Sequence, residues 1–399
     1  MSRPLGGTAG LDVVRSCHTR MVTAYVSPSA SWQRRRALLR VAMSTRRGPA
    51  TTASSPPLPA KVDATAFYRT YSGHTVEHLA AVHAALIASD PDRPVIWLLG
   101  DSTLDNKYWV PKPPDAPALN GYERALEPPR CVQDVAYHLN AILVDAAAAT
   151  SAASGEGRDG GDGGSTRPLP PVVINAAVEA STIAQRSRGR LLAQDKYVRD
   201  HLRPADTLIV SVGGNDVALA PTLATAVAAV AGVWFNNPVT IDANPAAAWG
   251  IRPLLRLFRD DTASYIRQLV GDASSPPARV IVCGLYYPAT VAAVAEAAAE
   301  AGTGAPPRGW ADLPLRLLRY NERPGRMQAC LRALYRLGTC AVTVPNVAHV
   351  VPVALYERLD GTRGWDYVER VEPSVTGGRV LAEMLAAALQ RGGTRDLAA

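Results

Sequence analysis

From Tyr68 onward, two kinds of segment alternate along the chain. The first is a short unbroken apolar run closed by Gly, Pro or Asn. Five such runs occur: VIWLLG (Val95–Gly100), PVVINAA (Pro171–Ala177), DTLIVSVGG (Asp206–Gly214), ARVIVCGLYYP (Ala278–Pro288) and TCAVTVPN (Thr339–Asn346). Their length and β-branched content predict strands buried on both faces. The second kind repeats its apolar positions at helical spacing. It covers HTVEHLAAVHAALIASD (His74–Asp90), DVAYHLNAILVDAAAA (Asp134–Ala149) and a last helix from Ser374 to Gln390. Strand alternating with helix predicts an α/β chain, a parallel sheet with helices on both sides in three layers, α/β/α.

The segments between are also informative. Val110 to Arg130 is a Pro-rich connection. SAASGEGRDGGDGGSTRPLPP (residues 151–171) is Gly-rich low complexity and predicts a flexible surface insertion. Val217 to Ile241 carries no charge over 25 residues. It is built mainly from Ala, Val and Thr and is interrupted by Pro221, Asn236, Asn237 and Pro238, which favours a helix buried against the sheet over a membrane span.

Charge divides the chain unevenly. Residues 1–62 hold ten Lys or Arg against one acid, Asp12, leaving 32 bases and 34 acids for the rest. The overall +7 therefore belongs to the leader, and the folded part offers no basic footprint for nucleic acid. The leader is rich in Arg, Ser, Thr and Ala and has no continuous apolar stretch. That composition fits a transit peptide and an intracellular or organelle-targeted protein; a disordered tail, or initiation at Met43, fits equally. The expected organisation is a leader over 1–62, one domain over 63–391 and a tail over 392–399. Cys17, Cys131, Cys283, Cys330 and Cys340 show no metal-ligand spacing and read as free thiols.

Three polar blocks follow three of the strands: GDSTLDN (Gly100–Asn106), INAAVEAST (Ile174–Thr182) and GGND (Gly213–Asp216). Ligands bind at the carboxyl ends of parallel strands, so the three blocks should face one crevice. Taken singly, Ser102 also reads as a helix cap, and Asn215 with Asp216 as a turn and cap. A fourth block, Glu369-Arg370-Val371-Glu372-Pro373-Ser374, precedes the last helix.

In this order the blocks resemble those of the SGNH (GDSL-like) hydrolases, over about residues 68–391. The resemblance implies a flavodoxin-like five-stranded parallel sheet and an ester-cleaving activity with no metal or organic cofactor. It implies Ser102 as nucleophile and an oxyanion hole made by the N–H groups of Ser102 and Ala180 and the side chain of Asn215. Asp101, Asp105, Asn106, Gly214 and Asp216 would support that site. Ala180 stands where the pattern has glycine; only a main-chain N–H is asked of it. The departure lies in the fourth block, where the D-x-x-H of those enzymes is replaced by Glu369 and Glu372.

A serine hydroxyl needs a positioned base, and an ordinary glutamate is a weak one. Burial beside Val371 and Pro373 would raise its pKa, whereas Arg370 or the N-terminus of the last helix would hold it down. Of the seven histidines, His349 alone is expected on the correct edge of the sheet, after strand five, and is the one substitute for Glu372 as base. Glu369 would orient the site. P-loop, dinucleotide-binding, H-E-x-x-H and G-x-S-x-G motifs are absent. Two functions follow: an esterase or acyl hydrolase acting on a small ester or acylated substrate, or a catalytically silent protein of that fold binding an ester- or carbohydrate-like ligand.

Overall fold

The computed structural model describes residues 60–153, 169–186, 189–219, 221, 223–271, 276–277, 279–303 and 309–391. All of them lie in the compact unit Pro57–Ala399. The five main strands are β1 (Val95–Gly100), β2 (Val172–Asn175), β3 (Thr207–Ser211), β4 (Arg279–Cys283) and β5 (Val350–Val353), in the spatial order β2-β1-β3-β4-β5 with every pair parallel. This is the expected flavodoxin-like order, which reverses beside β1 and so opens a crevice at the carboxyl ends of β1 and β3.

Alternation along each strand divides the core. Val95, Trp97 and Leu99 of β1 point to one face, with α1 (Val76–Ile87), α5 (Thr262–Val270) and α7 (Pro324–Leu337). Ile96 and Leu98 point to the other, with α2 (Val135–Ala153) and α8 (Val375–Gln390). With both faces covered, strand interiors have no place for a polar side chain, which is why polar residues such as Asn175, Thr207, Ser211 and Arg279 occur only at strand ends.

Gly100 closes β1 at φ +137°, and a Cβ added there would lie 1.8 Å from the Ser211 carbonyl oxygen. The contact brings the ends of β1 and β3 together, and Asp101 N–H donates to that same oxygen at 3.1 Å. Gly100→Ala is expected to cost about 4 kcal/mol of stability, since strand separation and positive φ are both penalised. Urea unfolding of the purified variant measures it.

Several sequence expectations need correction. Thr339–Asn346 is not the fifth strand: Thr339–Ala341 is a 3-10 turn, and β5 begins at Val350. Its Pro352 made VVPV look unlike a strand, but β5 is an edge strand and an edge tolerates a missing N–H. Val217–Ile241 is no single helix. Pro221 and Asn236-Asn237-Pro238 break it, leaving α3 (Leu223–Phe235) and a short helix Pro238–Ala243. The Asn236 side chain turns back to the Gly232 carbonyl at 2.8 Å. Nor is α3 fully buried, for Val227 and Phe235 face outward. No helix among the described residues is long and apolar enough to cross a membrane.

The domain edges also shift. Lys61 pairs with Glu127 at 3.0 Å and Val62 pairs with Leu126, so the leader does not extend to 62; residues 1–59 and 392–399 lie outside the described residues. Helix α2 runs on to Ala153, past the expected start of the insertion, of which residues 154–168 are likewise outside. His74 precedes α1, where Thr75 is the cap.

Candidate active site

Beyond Gly100 the chain turns at once into a helical turn, with Leu104 and Asp105 N–H donating to the Asp101 carbonyl at 3.1 and 2.9 Å. The cap is the Asp101 carboxylate, which accepts from Thr103 N–H at 3.1 Å. Ser102 is thus relieved of capping. The rest of the block is a set of buried struts. Asp105 accepts from Glu179 N–H at 2.8 Å and pairs with Lys107 at 2.6 Å, both side chains being fully buried. Asn106 accepts from Val135 N–H at 3.0 Å and donates to the Pro373 carbonyl at 3.1 Å. Through these two residues the Ser102 turn is tied to the second block and to the last.

In the second block Ala180 adopts φ +56°, the left-handed region where glycine is ordinarily favoured. Ser181 carbonyl accepts from Asn215 Nδ2 at 3.0 Å, which fixes the orientation of the amide. Asp216 accepts from Ile183 and Ala184 N–H at 2.8 and 3.1 Å and so caps the short helix Ile183–Arg186. Gly214 lies against Asp101, whose Oδ2 would be 3.8 Å from a Cβ placed there. Buried Arg186 crosses beneath the strand ends and donates to the Gly100 carbonyl at 3.0 Å and to Ser181 Oγ at 2.7 Å.

The last block is a hairpin in which Tyr367–Val368 pairs antiparallel with Glu372–Pro373. Glu369 and Arg370 make its turn at φ +49° and +73°. Arg370 points away from Glu372, bonding the Ala289 carbonyl and Asp312, each at 3.1 Å. Glu372 is 2% exposed. Burial pushes its carboxyl up to about 8, helped by the charges of Asp101 and Glu369 and opposed by hydrogen bonding from the Ser102 and Trp310 side chains. Its Oε2 has no hydrogen-bond partner among the described residues. Burial therefore prevails over Arg370 and the helix terminus, the point the sequence left open.

Two expected residues are placed differently. Glu369 does not orient Glu372 by a direct bond; its Oε2 accepts from Trp310 N–H at 3.1 Å, and it acts on Glu372 as a nearby charge. His349 is exposed and precedes β5, its carbonyl accepting from Val280 N–H near the start of β4. That is the amino end of the sheet, about 13 Å of strand away from the Ser102 end. The correction follows from the shifted fifth strand.

Three residues near the site were not singled out in the sequence. Glu179, in the second block, is buried and held well above the ordinary carboxylate range by desolvation and then by the charge of Glu372. A carboxylate inside a strand-end block was the available signal. Trp310 and Tyr286 come from distant loops whose spacing carries no sign of the site. Asp101 is also pushed up, to about 6, by burial.

Asp101, Ser102, Gly214, Asn215, Trp310 and Glu372 border a cavity of about 150 Å³. The first and third strand-end blocks and the hairpin thus open on one space, whereas the second block, Ala180 included, does not line it and reaches the site only through its bonds to Asp105 and Asn215. Among the described residues no three or more His, Cys, Asp or Glu side chains are grouped to hold a metal.

No protein-family model matches the chain, and no curated protein matches it. Solved structures resemble it weakly in overall shape. The acetylxylan esterase Axe2 of Geobacillus stearothermophilus is 13% identical with a TM-score of 0.33, over 74% of this chain and 94% of its own. A carbohydrate esterase family 3 protein of Talaromyces cellulolyticus is 12% identical with a TM-score of 0.34, over 74% and 96%.

Proposed function

We propose that the protein is a serine hydrolase of carboxylic esters, of the SGNH type, in which Glu372 replaces histidine as the base. The observation that carries this reading is that Ser102 and Glu372, a buried carboxylate of raised pKa, line the same cavity. A carboxyl group near 8 is a far stronger base than an exposed glutamate and is partly ionised at neutral pH.

In the reaction, Ser102 Oγ attacks the ester carbonyl carbon while its proton passes to Glu372. The ester C–O bond breaks, and the alcohol leaves with that proton. Water then attacks the acyl-serine, again giving a proton to Glu372, and release of the acid returns that proton to Ser102. Asn215 is fitted to the oxyanion: one amide N–H is spent on Ser181, and the other is left for the cavity. The main-chain N–H groups of Ser102 and Ala180 are the other donors in this reading, with Ala180 at the left-handed φ its position asks for. Asp105, Asn106 and Asp216 support the site as struts and cap.

A fluorophosphonate probe tests this directly. It is expected to add once, on the peptide containing Ser102, and to leave Ser102→Ala unlabelled. No adduct on Ser102 would favour the silent ligand-binding alternative.

A further inference from the structure

The chemistry occupies only one part of the cavity wall. Away from Ser102 the lining is apolar and mostly aliphatic, with Ala229 and Val233 from α3, Leu254 from α4 (Ile251–Leu255), Leu315 from α6 (Asp312–Leu317) and Leu331 and Leu334 from α7, joined by Phe258. No Lys or Arg lines it among the described residues, and its acids are Asp101 and Glu372 beside the serine. A sugar in such a space would lose its water without finding hydrogen-bond partners, which is costly. An apolar chain loses nothing polar and gains by burial.

We propose that this space is an acyl pocket, and that the preferred substrates are esters of medium- to long-chain fatty acids, with the chain lying between α3, α4, α6 and α7 and the carbonyl at Ser102. The proposal rests on the hydrolase reading for its chemistry but on the aliphatic walls for its substrate class. Each methylene moved from water into the pocket is worth about fourfold in affinity or kcat/KM at most. The helices making the wall also show apolar residues outward, Val230 and Trp234 on α3 and Leu317 on α6, where Trp234 Nε1 donates to the Leu317 carbonyl at 3.1 Å.

The experiment compares p-nitrophenyl acetate, butyrate and octanoate with the full-length protein. Octanoate is expected to exceed acetate in kcat/KM by about tenfold or more. Ala229→Trp, which fills the pocket, is expected to lower the octanoate-to-acetate ratio about tenfold. Preference for acetate, or a ratio unchanged in a folded Ala229→Trp variant, would overturn the proposal. Cis-parinaric acid fluorescence separates the two claims, because it needs no turnover. Saturable binding, displaced by dodecanoate, supports the acyl pocket even in a protein that hydrolyses nothing. Hydrolysis of acetate with no parinaric acid binding would overturn the pocket while leaving the hydrolase reading intact.

Discussion

Ser102→Ala is expected to lower kcat/KM toward p-nitrophenyl esters by about 10,000-fold, and Glu372→Gln by about 1,000-fold. The first loss is larger because it removes the atom that forms the acyl-enzyme. The second removes only the proton acceptor, leaving attack by an un-ionised hydroxyl in an intact oxyanion site. The two changes are expected to be far from additive, since a base has nothing to do once the hydroxyl is gone. Glutamine keeps the shape of the glutamate in a site where burial, and not a salt bridge, is the leading influence, so the fold should survive. Glu372→His is expected to retain more activity than Glu372→Gln at neutral pH, because an imidazole can also take the proton. Wild-type activity in Ser102→Ala would remove the hydrolase reading altogether.

Activity is also expected to climb steeply with pH. As the proposed base Glu372 would work only when ionised, and with a pKa pushed up to about 8 by burial it is about one percent ionised at pH 6. kcat/KM should therefore rise about 100-fold from pH 6 to a plateau above 8. Glu369→Gln removes one of the carboxylates that disfavour the ionised form, so the rising limb should move to lower pH; Trp310 N–H can still be accepted by the amide oxygen. Stability should move in the opposite sense. Glu372 is raised in the folded chain above its unfolded value, so its burial is free of penalty below about pH 4, where both states are protonated. The penalty then grows as pH climbs toward 8, because the unfolded state releases the proton first. Tm should fall over that window, and less so in Glu372→Gln. A kcat/KM that stays level from pH 6 to 9 would remove Glu372 as the base.

The comparison of strand five with strand one shows where local reading works. VIWLLG is flanked by turns and buried on both faces, so its pattern and its structure coincide. TCAVTVPN has the same kind of composition but folds as a turn, while VVPV, with a proline inside, takes the edge position. Periodicity reports which residues avoid water; it does not say which of two adjacent apolar runs finds a partner strand. That one shift moved His349 from the expected mouth of the sheet to its far end.

By itself, the sequence determined the layered α/β architecture, the parallel sheet with four of its five strands, and the positions of Ser102, Asn215 and Glu372 in blocks next to strand ends and the last helix. These follow from local pattern, because a chain that alternates buried strands with helices has few ways to cover both faces of a sheet. Only the tertiary structure decided the sign of the Glu372 shift, the turning away of Arg370 toward Asp312, the meeting of Glu179 with the site and the aliphatic cavity. Each depends on desolvation and on neighbours brought in from distant segments. Burial of a charge is a property of the volume around it and is not encoded in the residues beside it in the chain.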